Sequence, residues 1–256
     1  MSEEIEKLLM YRIDELEKKL NKFEMLENKE GTIPTFSFSK IRDKELEKLF
    51  DIEKKIDKNI FNEWFNNKKI IESETIKFLN TLILENELLI RDYNEEDLKI
   101  KFITPLLNKI KFVSFENEFR DFYELSLKYQ TEDFIFQGTT DFVVSKGLVK
   151  SKKPYFFIQE FKRSEEFSNP RPQLVAELIA GIELNNEKVM KGAYIVGENW
   201  NFVILEKLGE KNYQYFVSST FKATNREDLY LIYKNLLFIK EEIIQKIQEE
   251  KNKQKV

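Results

Sequence analysis

The sequence predicts an α/β fold, a mixed sheet between helices, with a helical extension at the N-terminus. Three observations point there. From residue 94 onward, helix-like and strand-like segments follow one another in the order α-β-β-β-α-β. Tyr155-Phe156-Phe157-Ile158 is apolar at consecutive positions, which marks a strand covered on both faces. Residues 3–29 instead carry apolar side chains at helical spacing. A sheet whose strands are covered on both sides is completed by helices on either face.

Taken in order, the first element is the helix of residues 3–29. Leu9, Ile13, Leu16, Leu20 and Phe23 are spaced 4-3-4-3, a short heptad seam filled in by Glu and Lys. A seam of this length pairs with a second copy of itself, forming a homodimer, or packs on the body of the protein. Gly31-Thr32-Ile33-Pro34 interrupts it. Residues 41–92 read as mainly helical, with Phe50, Ile56, Phe61, Trp64 and Phe65 as packing residues. The expected division is a helical extension over 1–92 and an α/β domain over 93–256.

Asn94 is a suitable N-cap for a helix running through Leu98 to Ile110, with Pro105 kinking it or beginning its end. Strands are expected at Phe112–Phe119, Asp133–Phe136, Thr139–Ser145 and Tyr155–Lys162. Pro170 and Pro172 open a helix reaching about Leu184. Strands follow at Gly192–Gly197, Asn201–Glu206 and Tyr213–Val217, then a closing helix from Arg226 to about Glu250.

Composition narrows the chemistry. The chain has 256 residues, 41% of them hydrophobic, with no Cys and no His. Disulfides, thiolate metal sites, His-ligated zinc and every nucleophile that needs a His base are excluded. Hydrolysis would have to rest on carboxylates, Lys, Tyr or an oxygen-liganded cation. No apolar run approaches the roughly 18 residues of a membrane span, and the acidic start is unlike a signal peptide, so a cytoplasmic protein is expected. A net charge of −4 exerts no overall pull on nucleic acid, which would need a local basic patch. No helicase-type phosphate loop occurs.

The segments that could carry chemistry are Gly138-Thr139-Thr140-Asp141-Phe142-Val143-Val144 and Phe156-Phe157-Ile158-Gln159-Glu160-Phe161-Lys162. Each sets an acid into an apolar strand. Strand side chains alternate, so Glu160 and Lys162 share a face. If the strands are neighbours, Asp141 and Glu160 approach each other, an arrangement that a divalent cation between them would stabilise. Lys162 then lies within reach of a phosphate and of the attacking water. Glu-x-Lys by itself is weak evidence, since Glu17-Lys18-Lys19 and Glu53-Lys54-Lys55 repeat it on segments predicted to be solvated helices. A strand end emerging into solvent with a surface Glu–Lys pair is the alternative.

Thr140-Asp141 followed by Gln159-Glu160-Phe161-Lys162 resembles the PD-(D/E)XK nuclease superfamily, whose core order is also α-β-β-β-α-β; Thr140 stands in place of the motif's proline. Asn94-Glu95-Glu96-Asp97-Leu98-Lys99, leading to Phe102-Ile103-Thr104-Pro105-Leu106-Leu107, looks like the nuclease domain at the start of type I restriction R subunits and their stand-alone relatives. Pro172-Gln173-Leu174-Val175-Ala176-Glu177 does so as well. The resemblance covers about residues 94–220 and implies a restriction-endonuclease-like core. It further implies an endonuclease dependent on magnesium or manganese, cutting DNA in restriction or anti-phage defence. Asp141, Glu160 and the backbone carbonyl of Phe161 would be its metal ligands. Lys162 would orient or activate the attacking water and stabilise charge on the phosphate.

The same resemblance implies that Glu95, with Glu96 as the alternative, completes the site, and that Gln173 supports it or contacts DNA. Read locally, Glu95 is equally an acid stabilised by its helix dipole, and Gln173 a polar helix-start residue. Glu177 lies one turn beyond Gln173 and could share its face. Lys146, Lys150, Lys152, Lys153, Arg163 and Arg171 could form the missing basic patch, although Lys150–Lys153 also reads as a solvated hairpin loop. An RNA-directed nuclease and a non-catalytic scaffold that keeps the fold are the other readings.

Overall fold

The computed structural model describes residue 12 and residues 33–163 and 169–253, so the apolar positions of the expected seam at residues 3–29 lie outside the described residues. The early elements are β1 (Thr35–Ser37), α1 (Asp43–Leu49), β2 (Asp51–Lys55), α2 (Asn62–Phe65) and α3 (Ser73–Asn86). Then come α4 (Glu95–Leu98), a π-helical stretch at Lys99–Ile103 and α5 (Thr104–Ile110). The strands β3 (Val113–Ser114), β4 (Phe119–Gln130), β5 (Ile135–Lys146) and β6 (Lys152–Lys162) lead to α6 (Pro170–Asn185). The chain ends with β7 (Val189–Val196), β8 (Asn199–Gly209), β9 (Asn212–Val217), β10 (Phe221–Lys222) and α7 (Arg226–Lys253).

The fold is α/β with an open, mixed sheet in the order β2-β9-β8-β7-β6-β5-β4-β3, and β10 pairs with β8. β5 and β6 are antiparallel, β6 and β7 parallel, and β7, β8 and β9 antiparallel in turn. Alternation along β6 divides its side chains between two helical layers. Phe157 and Phe161 enter one core together with Leu98, Phe102, Leu106 and Ile110 and with Ile232, Leu236 and Ile239 of α7. Ile158 and Glu160 face α6, an almost wholly buried helix.

Residues 37–129 and 136–253 form one compact unit, and residues 33–36 with 130–135 belong to a second. Within the second, the Ile135 N–H donates to the Pro34 carbonyl at 2.8 Å, and the Thr131 hydroxyl accepts from the Phe134 N–H at 3.0 Å.

Several expectations are corrected. Residues 51–55 form a strand parallel to β9, not a helix: edge pairing overrides the helix preference of Glu and Lys. The Glu53-Lys54-Lys55 repeat therefore lies on that edge, and Ile56 is 93% exposed, not a packing residue. The strand expected at Phe112–Phe119 is a short hairpin, with Glu118 left-handed at φ 54°, and the chain then pairs as β4 as far as Gln130. Asp133–Phe136 and Thr139–Ser145 join into one strand. Gly138 suggests a break, but its small size serves packing: a Cβ there would lie 3.0 Å from the Phe38 ring. Asn94 caps as expected, its side chain accepting from the Asp97 N–H at 2.8 Å. Pro105 neither ends nor restarts the helix: the backbone stays helical through Lys99, Ile103 and Thr104, and Pro105 follows directly on the π-helical stretch. Among the described residues, no helix is long and apolar enough to cross a membrane.

Candidate active site

β5 and β6 bring Asp141 and Glu160 together. They lie one step beyond the Phe142–Gln159 pair of the antiparallel register. The Asp141 N–H donates to Glu160 Oε1 at 3.2 Å, and the Phe161 N–H donates to Asp141 Oδ2 at 2.7 Å. These backbone donors offset part of the cost of burying two carboxylates. Glu160 is fully buried and Asp141 nearly so.

α6 supplies the next layer. Asn169 caps it, its side chain accepting from the Arg171 N–H at 3.1 Å, and Gln173 projects from the first turn toward β6. Its Nε2 donates to Glu160 Oε2 at 2.6 Å and to Glu177 Oε1 at 3.1 Å. Glu177, one turn on, is completely buried, and its Oε2 has no hydrogen-bond partner among the described residues. Burial drives the Glu160 pKa well above the ordinary carboxylate range, and Glu177 and Asp141 add to the shift against Lys162. Burial also raises Glu177, against hydrogen bonds from Glu160 and Gln173.

Lys162 Nζ occupies the centre of this acidic group. It donates to the Phe161 carbonyl at 2.9 Å and lies 3.6 Å from Asp141 Oδ2, 3.7 Å from Glu160 Oε2 and 3.6 Å from Glu95 Oε1. Burial disfavours its charge, but Asp141, Glu160, Glu95 and Glu177 outweigh burial and raise its pKa. Glu95, on the short helix α4, is half-exposed; burial raises its pKa and Lys162 opposes the rise. Of the two adjacent acids, it is Glu95 that pairs with Lys162.

The ammonium marks a point on which oxygens of Asp141, Glu160, Glu95 and the Phe161 carbonyl converge. Hard oxygen donors of this kind suit magnesium or manganese, and a positive charge is already accommodated there. The carboxylates alone are less closely gathered: among the described residues, no group of three or more acids stands at ion-holding spacing. A small divalent cation held here would need the Phe161 carbonyl beside the Asp141 and Glu160 carboxylates, a set of hard oxygens that suits it.

The six basic residues do not form one patch. Lys146 pairs with Lys152 at the hairpin end of β5 and β6, with Lys150 and Lys153 beside them. Glu160 lies eight steps along the strand from Lys152, about 26 Å at the usual rise. Arg171 is occupied by Asp43 at 2.5 Å and by the Tyr215 hydroxyl. Arg163 follows Lys162 in sequence and lines a cleft with Arg91, Glu198, Asn199 and Thr220.

Sequence reading missed two charged residues near Asp141. Lys99 lies 3.5 Å from its Oδ1 and 2.5 Å from Glu124. Lys99 follows Glu95 by four residues, one helical turn, and that spacing was a usable signal. Glu124 offered none, because its strand has no regular alternation. No family model matches the chain, and no curated protein matches it.

Proposed function

We propose that this protein is a divalent-cation-dependent nuclease that hydrolyses phosphodiester bonds on a restriction-endonuclease-like core of the PD-(D/E)XK type. The observation that carries the reading is the convergence of Asp141, Glu160 and the Phe161 carbonyl on the Lys162 ammonium. A surface Glu–Lys pair at a strand end would be exposed, whereas Glu160 is 0% exposed. The element order supports the resemblance: a helix bearing Glu95, the two-residue strand β3, the three long strands β4 to β6, a helix bearing Gln173, and a strand.

Asp141, Glu160 and the Phe161 carbonyl would hold magnesium or manganese, with Glu95 completing the set. The cation would polarise the phosphoryl oxygen and neutralise its charge. Gln173 keeps the Glu160 carboxylate in a single orientation through its 2.6 Å hydrogen bond. Lys162, held cationic by its acidic neighbours, orients the attacking water and stabilises the charge developing on the phosphate. Arg163, next in sequence to Lys162, would meet a backbone phosphate flanking the cut, whereas Arg91 is ion-paired with Glu198. DNA as substrate, and a role in restriction or anti-phage defence, come from the resemblance to type I restriction subunits.

The test is a panel of double-stranded DNA, single-stranded DNA and RNA, with magnesium, with manganese and with EDTA. Cleavage is expected only with a cation, and Asp141→Ala and Lys162→Ala should each lower it by about 100-fold or more. Full activity in EDTA, or in either variant, overturns the assignment.

A further inference from the structure

Asp141 has a cation beside each of its oxygens. Lys162 lies 3.6 Å from Oδ2, and Lys99 lies 3.5 Å from Oδ1. Lys99 is only 12% exposed and reaches outward to Glu124 Oε1 at 2.5 Å, while the Glu124 side chain is 58% exposed. The ammonium therefore bridges an inner acid and an outer one. Burial works against its charge, yet Glu124 and Asp141 outweigh burial and raise its pKa.

The backbone is irregular on both sides of this bridge. Glu124 is left-handed, at φ 48°, within β4, a conformation unfavourable to any residue with a side chain. Buried residues along that strand, Phe119, Phe122 and Leu127, do not fall at intervals of two: the alternation shifts once before Phe122 and again in the stretch to Leu127 that holds Glu124. Lys99 itself opens the π-helical stretch, an insertion that often marks a functional position.

An ammonium over Asp141 opposes the arrival of a second positive charge. We propose that Lys99 and Glu124 set how tightly the Asp141–Glu160 site takes a divalent cation. Lys99 covers Asp141 Oδ1 in the cation-free protein, and Glu124 retains the ammonium at the rim when the cation enters. The pair thus works as a counter-ion exchange: Lys99 lowers the affinity of the site, and Glu124 restores part of it. This inference rests on the cation-binding reading of the site given above.

Calorimetric titration of the full-length protein with manganese, without nucleic acid, tests it. Lys99→Met should tighten the dissociation constant by about fivefold to tenfold, since it removes a low-dielectric repulsion. Glu124→Gln should weaken it by about threefold, a smaller change because Glu124 is largely solvated. The double variant should follow Lys99→Met, because Glu124 acts only through Lys99, and Lys99→Arg should resemble the wild type. The opposite signs separate this from structural damage, which would weaken binding in both single variants. If Lys99→Met fails to fold, Lys99→Gln takes its place with the same expectation. Unchanged affinity in Lys99→Met, or a shift of both single variants in the same direction, overturns the inference alone. A wild-type protein that takes up no manganese overturns the cation site, and this inference with it.

Discussion

Glu160 and Glu177 are the residues whose charge is hardest to sustain. Both are fully buried, Gln173 bridges them, and burial raises the pKa of each. A carboxyl whose folded-state pKa exceeds its unfolded value stabilises the fold at low pH, and that contribution is lost as pH rises through the folded value. The melting temperature of the cation-free protein should therefore fall as pH is raised above about 5. Saturating magnesium should reduce the fall by compensating the ionised carboxylates, and Glu177→Gln should flatten it even in EDTA. A melting temperature that instead climbs over this range would show that the buried pair is not protonated. At this scale the sequence was most informative about Asp141, Glu160 and Lys162. Alternation alone puts Glu160 and Lys162 on one face, and a buried-looking strand carrying an acid is chemically conspicuous. Lys99 and Glu124 were not legible in the same way, because each is an ordinary surface-type charge until the fold brings them together.

Among the elements, the contact between α6 and the sheet matters most, because α6 carries Gln173 and Glu177. Gly192 on β7 allows the close approach. A Cβ there would lie 2.8 Å from the Ile158 carbonyl oxygen and 3.1 and 3.2 Å from Leu178 and Leu174 of α6. Gly192→Ala should destabilise the protein by about 1–3 kcal/mol in urea unfolding through overpacking. Because α6 would be pushed from β6, cation affinity should weaken as well. An alanine variant of wild-type stability would mean that α6 is not held by this contact. The α6 helix and strands β5 to β9 were recoverable from apolar runs and turn residues. β4 was missed beyond its first residue, since polar residues such as Arg120, Asp121 and Glu124 interrupt its apolar pattern. β2 was missed because a charged segment gains strand structure only by pairing with β9.

For the molecule as a whole, α2 shares the core of the α/β unit. Trp64 packs on Phe202 of β8 with ring centroids 5.0 Å apart, and its indole N–H donates to the Asn235 carbonyl of α7 at 2.9 Å. Trp64→Ala should cost about 3–5 kcal/mol. Residues 37–129 and 136–253 should unfold in one cooperative transition, followed by tryptophan fluorescence and circular dichroism together. Two separated transitions, one involving the elements before residue 93, would show instead that those elements fold independently. Sequence alone determined the α/β class, the strand bearing Glu160 and Lys162, and the exclusion of His and Cys chemistry, because composition and periodicity are local properties of the chain. Only the tertiary structure decided that Glu95 rather than Glu96 meets Lys162, that the basic residues do not gather into one patch, and that Lys99 bridges Asp141 and Glu124. Those are distances between residues far apart in sequence, and they follow from strand register and helix placement that no local pattern specifies.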